Sequence, residues 1–410
     1  MIARWQEKAV VAALKSRRVV NLTGARQCGK TTLAEAIALP NVRRLTLDDD
    51  EARLAAKSDP HGFVERFGNE TLVIDEIQKV PELLNAIKIK VDRNNERGQY
   101  LLTGSSNLHF AKAVSDSLAG RVGKVRLRTL ACGEIEGGQG DFLERAFERD
   151  FPLQVPGFGK RRIIALASRS GYPETLDMDE PDRAKWFDSY LDDLLVKDIR
   201  DVTEIRKLDS LRKVARWLLA YSSKLFDMAE LSAKAGIGKT TVEAYIAALK
   251  ALYLFDEVQP WAKSDYAKIG KRSKYFATDA GLVTNVLGWT DESIYMSDDR
   301  SGKTVETWVY QNLACLADLA RGYEITHYRD SNKREIDFLV ERQNDGALLG
   351  IEVKAGMANG SDFKNLKWFA ANIAKGPFTG IVLYSGENTL RFGEGFYAVP
   401  LAALGCVRKA

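Results

Sequence analysis

Apolar positions change their spacing along this chain, and the changes divide it. Met1 to Arg18 interleave Arg4, Glu7, Lys8 and Lys15 with Ala, Val and Leu, which reads as an amphipathic helix. Short aliphatic runs then recur between polar stretches: Val19 to Leu22, Thr71 to Ile74, Gln99 to Leu102, and a strand-like segment from Val122 to Leu127. Such runs predict the buried strands of a parallel sheet, so this part of the chain is expected to be α/β. From about Phe151 to Tyr221 the spacing becomes three and four. Trp186, Tyr190, Leu191, Leu194 and Leu195 form one helical stripe, and Leu211, Val214, Ala215, Leu218 and Leu219 another, which predicts a helical lid packed on the first domain. Beyond about Ser297, a helix with Val305, Trp308, Val309, Leu313 and Leu316 on one face precedes Arg334 to Val340 and Leu348 to Lys354, which alternate as half-buried strands do.

The turn after the first run carries chemistry. Gly24 to Thr31 read G-A-R-Q-C-G-K-T, completing G-x-x-x-x-G-K-[ST] between a strand and the helix that starts near Thr32. Backbone N–H groups of Gly24, Ala25, Arg26, Gln27, Cys28, Gly29, Lys30, Thr31 and Thr32 are placed to cradle a polyphosphate at a helix N-terminus. Lys30 is expected to reach the β/γ-phosphates, and the Thr31 hydroxyl to hold Mg²⁺. About 45 residues later, Thr71 to Ile74 end in Asp75 and Glu76: Asp75 to bind Mg²⁺ through water, Glu76 to polarise the attacking water. Thr103, Ser105 and Ser106 follow the third run and suit sensing of the γ-phosphate, though an N-cap for a helix from Leu108 to Ser117 explains them nearly as well. Arg121 follows Gly120. It reads either as a cap on a helix dipole or, favoured by its place in the strand order, as an arginine finger reaching a neighbouring subunit.

These stretches, with L-V-I-D-E-I-Q-K-V-P-E from Leu72, L-T-G-S-S from Leu102, S-L-A-G-R from Ser117 and G-Y-P-E from Gly171, occur in an order that resembles the bacterial and archaeal AAA-type ATPases carrying a C-terminal domain of the PD-(D/E)xK nuclease fold. The resemblance runs through nearly the whole chain. It implies an AAA-type sheet, ATP with Mg²⁺, and a homo-oligomer such as a hexameric ring. The expected division is residues 1–150 as a P-loop ATPase domain, 151–222 as the lid, 223–296 as a winged-helix domain and 297–410 as a nuclease-like domain.

Gly236 to Thr241 imitate the end of a second phosphate loop and fail as one, because position 233 is Ala and no strand precedes it. Met228 to Ala235 and Thr240 to Leu252 instead predict two helices around a glycine turn, with Val242, Tyr245, Ile246 and Leu249 on one face of the second. Tyr253 to Phe255 and Lys271 to Ala277 add two strands, as in a winged helix. Between Arg200 and Lys274 stand 15 Lys/Arg against 9 Asp/Glu, a local excess of +6 where the whole chain carries +4. DNA contact by Lys239, Thr240 and Thr241 at the start of the second helix is the favoured reading, and protein docking the other.

In the last domain Asp337 is followed fifteen residues later by Glu352 and, two further on, Lys354. That is the PD-(D/E)xK spacing which the resemblance implies, with Ile336 in place of the early proline. Asp337 and Glu352 would bind Mg²⁺, Glu306 would complete the metal site, and Lys354 would act on the metal-bound water. A salt-bridged hairpin in which Asp337, Glu352 and Lys354 neutralise one another is the competing reading.

Composition narrows the rest. A chain of 410 residues, 45% hydrophobic and 28% charged, suits two to four globular domains. No apolar run approaches the ~18 residues that span a membrane. Cys28, Cys132, Cys315 and Cys406 are too scattered for a zinc pair, and three histidines exclude histidine-rich metal chemistry. A cytoplasmic protein is expected. Two functions fit: an ATP-dependent DNA-processing enzyme with a C-terminal endonuclease site, or a regulatory NTPase whose nuclease-fold domain only binds nucleic acid or a protein.

Overall fold

The computed structural model describes residues 2–39, 41–68, 70–104, 118–196, 208–264, 271–320 and 322–405. Its first sheet contains β1 (Val19–Gly24), β2 (Val42–Thr46), β3 (Thr71–Asp75), β4 (Tyr100–Thr103) and β5 (Val122–Leu127). All neighbours run parallel in the order β2-β3-β4-β1-β5. The central strands are buried on both faces, which is why they read as unbroken aliphatic runs rather than alternating ones. Successive residues still face opposite ways. Val20, Leu22, Val73, Leu101 and Leu127 pack towards the N-terminal helix Gln6–Ser16, whereas Val19, Leu72, Ile74, Tyr100 and Leu102 pack towards the helix Leu83–Arg93.

The first of these two cores does not end at the sheet. It continues through Phe187, Tyr190, Leu194 and Leu195 of the helix Glu180–Val196 and through the stripe of the helix Leu208–Ala220. It then reaches Leu231, Val242, Tyr245, Ile246 and Leu249; the expected helical stripes are buried except for Trp186, which is half-buried, and Phe187 joins them. Helices Met228–Ala235 and Lys239–Ala251 meet at Gly236, whose φ of 64° is the left-handed C-cap conformation that glycine adopts freely. Behind them lies an antiparallel hairpin of β6 (Phe255–Val258) and β7 (Lys274–Ala277).

The C-terminal region is a six-stranded mixed sheet. It contains β8 (Tyr323–Arg329), β9 (Glu335–Arg342), β10 (Ala347–Lys354), β11 (Phe378–Tyr384), β12 (Leu390–Gly393) and β13 (Phe396–Pro400), in the order β12-β13-β11-β10-β9-β8. β8, β9 and β10 are antiparallel neighbours, and β11 lies parallel to β10. The helix Asp298–Leu319 covers one face and the helix Lys364–Asn372 the other. Cys132, Phe142, Leu143 and Ala146, inside the 1–150 span, pack with this region rather than with the first sheet. Among the described residues no helix is long and apolar enough to cross a membrane.

Candidate functional site

Three predicted residues of the phosphate loop and its neighbours meet at the carboxyl ends of β1, β3 and β4, the edge where open α/β sheets bind ligands. Thr31 Oγ1 donates to Asp75 Oδ2 at 2.9 Å, and the Thr103 hydroxyl donates to Asp75 Oδ1. Lys30 Nζ folds over the loop and donates to the carbonyls of Gly24 (3.1 Å) and Ala25 (2.8 Å). Gly24 is required sterically, since a Cβ there would lie 2.1 Å from the Leu127 carbonyl oxygen, and Gly29 has a φ of 99°. Loop, ammonium, hydroxyl and carboxylate together fit a nucleoside triphosphate with a hard cation.

Glu76 adopts a left-handed φ of 57°, an uncommon conformation for a residue with a side chain and one that clusters at functional sites. Burial, and then the neighbouring Asp75 carboxylate, raise its pKa above the ordinary glutamate value, against a lowering hydrogen bond from Gln78. Gln78 is thus a positioning residue that sequence reasoning missed. So is Arg4, whose guanidinium donates to the carbonyls of Cys28 (2.8 Å) and Arg128 (2.7 Å) and pairs with buried Glu134 at 3.1 Å. Tyr190, from the helix Glu180–Val196, donates to the carbonyl of Arg26 at 3.1 Å. The phosphate loop is therefore held from the N-terminal segment and from the helix Glu180–Val196 at once. Gln27 and Thr32 remain exposed, and Cys28 is buried with its thiol on the Leu127 carbonyl. Ser105, Ser106 and the predicted helix from Leu108 lie outside the described residues.

Arg121 sits at the other end of the sheet. Val19 pairs with Val122 and Gly24 with Leu127, so Arg121 is about 17 Å of strand away from the loop of its own chain. There it pairs with Asp92, which Arg18 also approaches at 3.9 Å. A contribution to its own nucleotide site is ruled out by this register.

The C-terminal carboxylates also converge, but around a lysine. Lys274 arrives from β7 and is 2% exposed. Its Nζ lies 3.1 Å from Glu306 Oε1, 2.7 Å from Glu335 Oε1 and 3.5 Å from Asp337 Oδ1. Burial alone would lower its pKa, but Glu306, Asp337 and Glu335 hold it above the ordinary lysine value. Burial, and then Asp337, push the Glu306 carboxyl up to about 7 against the pull of Lys274. Glu352 is raised well above the usual carboxylate range, again by burial and then Asp337. Asp337 Oδ2 accepts from the Val353 N–H at 2.9 Å, and Lys354 Nζ pairs with Asp362 at 3.3 Å. Among the described residues no group of three His, Cys, Asp or Glu is arranged to hold a metal ion. Neither an open metal site nor a simple Asp337–Glu352–Lys354 neutralisation describes this cluster. Lys274 had counted towards the basic excess that favours DNA, and its burial removes it from that surface.

A second buried network connects this cluster to the first sheet. Asp256 of β6 binds Arg126 at 2.9 Å and Arg128 at 2.5 Å and accepts from Tyr310 at 2.7 Å. Arg128 in turn pairs with Asp318 at 2.6 Å. Burial would raise the Asp256 pKa, but Arg126 and Arg128 drive it well below the usual carboxylate range. Arg126 faces Thr23 across the β1–β5 pairing, one residue before the phosphate loop, and Asp256 faces Phe276 across the β6–β7 pairing, two residues from Lys274.

Next to Lys274 lies His327, 1% exposed, with Nε2 3.1 Å from the Arg272 carbonyl. Burial, and then Lys274, push its pKa down to about 4 from an ordinary 6.5. The unfolded chain takes up this proton at a higher pH than the folded one, so the stability involved is complete above 6.5 and is lost as pH falls towards 4. The loss between pH 7.5 and 5 is on the order of 2 kcal/mol. Urea melts of His327→Gln are expected to lack that part of the wild-type slope; equal slopes would contradict a neutral buried ring.

The parallel sheet and its loop have the form of a P-loop nucleotide-binding domain, and residues 16–136 match the profile of an AAA domain. Residues 160–293 and 301–404 match two domains of unknown function, DUF8612 and DUF4143. Uncharacterized proteins of Mycobacterium tuberculosis and Mycobacterium bovis are each 27% identical over 397 residues, covering 95% of this chain and 81% of theirs. A solved DNA replication initiation factor shares 16% identity, covering 60% of this chain and 85% of its own, with a TM-score of 0.23. A signal transduction ATPase with a tetratricopeptide repeat sensor from Pyrococcus horikoshii shares 14%, covering 77% and 45%, with a TM-score of 0.24.

Proposed function

We propose that this protein is an ATP-hydrolysing AAA-type switch that engages DNA through residues 223–296 and carries a nuclease-like C-terminal domain. The convergence of Thr31 and Thr103 on Asp75, beside a left-handed Glu76, carries the reading. Loop N–H groups and Lys30 would bind the phosphates, and Thr31 and Asp75 would hold Mg²⁺, which supplies charge neutralisation there. Glu76, held by Gln78, would orient the attacking water and take its proton. Thr103 keeps Asp75 in register with the phosphate end of the site.

Three helices followed by a hairpin support a winged helix, and Lys239 and Thr240 are exposed at the start of its second turn-flanking helix, where DNA contacts are made. The order helix, β8, β9, β10, helix, β11, with Asp337, Glu352 and Lys354 on adjacent strands, supports the PD-(D/E)xK reading. Lys274 among the carboxylates favours the non-cleaving version of that domain. The deciding experiment measures ATP turnover with and without DNA, alongside Mg²⁺-dependent nicking, on one preparation. Turnover stimulated by DNA and weakened by Lys239→Glu supports the switch; turnover indifferent to both overturns DNA engagement. Nicking that disappears in Lys354→Ala while turnover persists would establish cleavage.

Assembly into a ring would bring Arg121 to a neighbour's nucleotide. Turnover per chain is then expected to rise with protein concentration, and to fall by at least ~100-fold in Arg121→Ala. Concentration-independent turnover would remove the finger.

A further inference from the structure

The turn between β8 and β9 meets the helix Lys364–Asn372 on one face of the C-terminal domain. Arg329 to Arg334 and Lys364 to Asn372 together hold five basic residues and one acid, a local +4 that equals the net charge of the whole chain. Arg334 is paired with Asp330 at 2.9 Å, Arg329 with Glu335 at 3.2 Å, and Lys367 lies over the Phe363 ring. Lys333 and Lys364 are exposed, and their ammonium groups have no carboxylate partner among the described residues. Such a face attracts a polyanion.

Aromatic rings stand among these cations. The Arg334 guanidinium lies 4.0 Å from the centre of the Trp368 ring, and Asp330 holds it there. Trp368 leans on Tyr328, with ring centres 6.5 Å apart, and Trp261 meets the same tyrosine at 6.4 Å. Both indoles are half-buried, and the Arg334 side chain is 34% exposed. A guanidinium fixed by a ring against it and a carboxylate beside it is a preformed plane on which an unpaired base can stack. A duplex keeps its base faces stacked inside and could use only the charges.

We propose that this face binds single-stranded DNA, with one base stacked on the Arg334–Trp368 pair and backbone phosphates held by Lys333 and Lys364. The proposal deepens the DNA-engaging reading above and rests on it for the choice of DNA. It adds a contact in the C-terminal domain, separate from residues 223–296, and it selects the single strand over the duplex. Asn365 donates to the Glu335 carbonyl at 3.0 Å, and Glu335 pairs with Lys274, so the strand would pass beside the carboxylate cluster.

Fluorescence anisotropy of the full-length chain with a labelled single strand of mixed sequence, and with the blunt duplex made from it, tests this. Wild type should hold the single strand at least about fivefold tighter, the lower end of what one stacked base is worth. Arg334→Lys keeps the charge and loses the plane, so it should erase that preference and leave the salt dependence unchanged. Lys333→Ala combined with Lys364→Ala should do the reverse, keeping the preference and flattening the logarithmic salt slope by about 1.4. Lys239→Glu should leave the preference in place. Equal affinity for strand and duplex, or a preference that survives Arg334→Lys, would overturn the proposal while sparing DNA engagement through residues 223–296. Tighter binding of the matching RNA strand would overturn DNA as the occupant. No binding of either DNA form by wild type would overturn this proposal and the DNA-engaging reading together.

Discussion

Lys30→Ala is expected to reduce ATP turnover by at least ~100-fold, the scale seen when a preorganised donor to developing charge is removed. Lys30 is buried over the phosphate loop and, among the described residues, donates to the loop carbonyls of Gly24 and Ala25, so its removal should leave the rest of the fold in place. The matching variant is Glu76→Gln. It keeps the shape of the water-activating side chain and cannot accept the proton, so turnover should fall comparably while nucleotide affinity survives. Equilibrium binding of a fluorescent ATP analogue separates the two: Lys30→Ala should lose affinity and Glu76→Gln should not. Retained turnover in Glu76→Gln would move the general base elsewhere.

Asp256→Ala is expected to be the most destabilising single change outside the nucleotide site. It leaves Arg128, 8% exposed, and the partly buried Arg126 facing each other without the carboxylate between them. Breaking a buried ion pair by removing one partner costs about 3–5 kcal/mol. The loss should be local as well as global. Hydrogen exchange should accelerate in β6, β7 and the helix Asp298–Leu319, because Tyr310 loses its acceptor and Arg128 is left with Asp318 alone. A melting temperature within a degree of wild type would show that the network is dispensable.

Parts of this arrangement are legible in sequence because their determinants are contiguous. The phosphate loop, the strand ending at Asp75 and the strand ending at Thr103 each need only a short apolar run and one polar tip, and the structure brings those tips together. The lid stripes are legible because helical spacing marks burial directly. β2 is not: Val42 to Thr46 read V-R-R-L-T on the sheet edge, exposed or half-buried throughout, with no apolar run to notice. Lys274 is the sharper failure. Its run of basic neighbours looks solvated, and the Glu306 that buries it lies 32 residues further on, with Glu335 and Asp337 beyond. Arg4 and Gln78 fail for the same reason, since a side chain that braces a loop carries no local pattern. Arg121 shows how far strand order reaches: it fixes the residue at the far edge of the sheet, but not which chain it serves.

The apolar core that runs from β1 and β5 into the helices beyond residue 180 has a consequence for how such proteins diversify. Modules that meet through charged linkers can be shuffled between genes, each carrying its own interior. Here Val20, Leu22 and Leu127 share one continuous core with Phe187, Leu194 and Leu218, far along the chain. A nucleotide-binding segment cut at residue 150 would expose that face and aggregate, and the same segment grafted onto a foreign lid would meet a surface of the wrong shape. A cut between the first sheet and these helices would therefore divide one interior, whereas changes at the exposed start of the helix Lys239–Ala251 leave it whole.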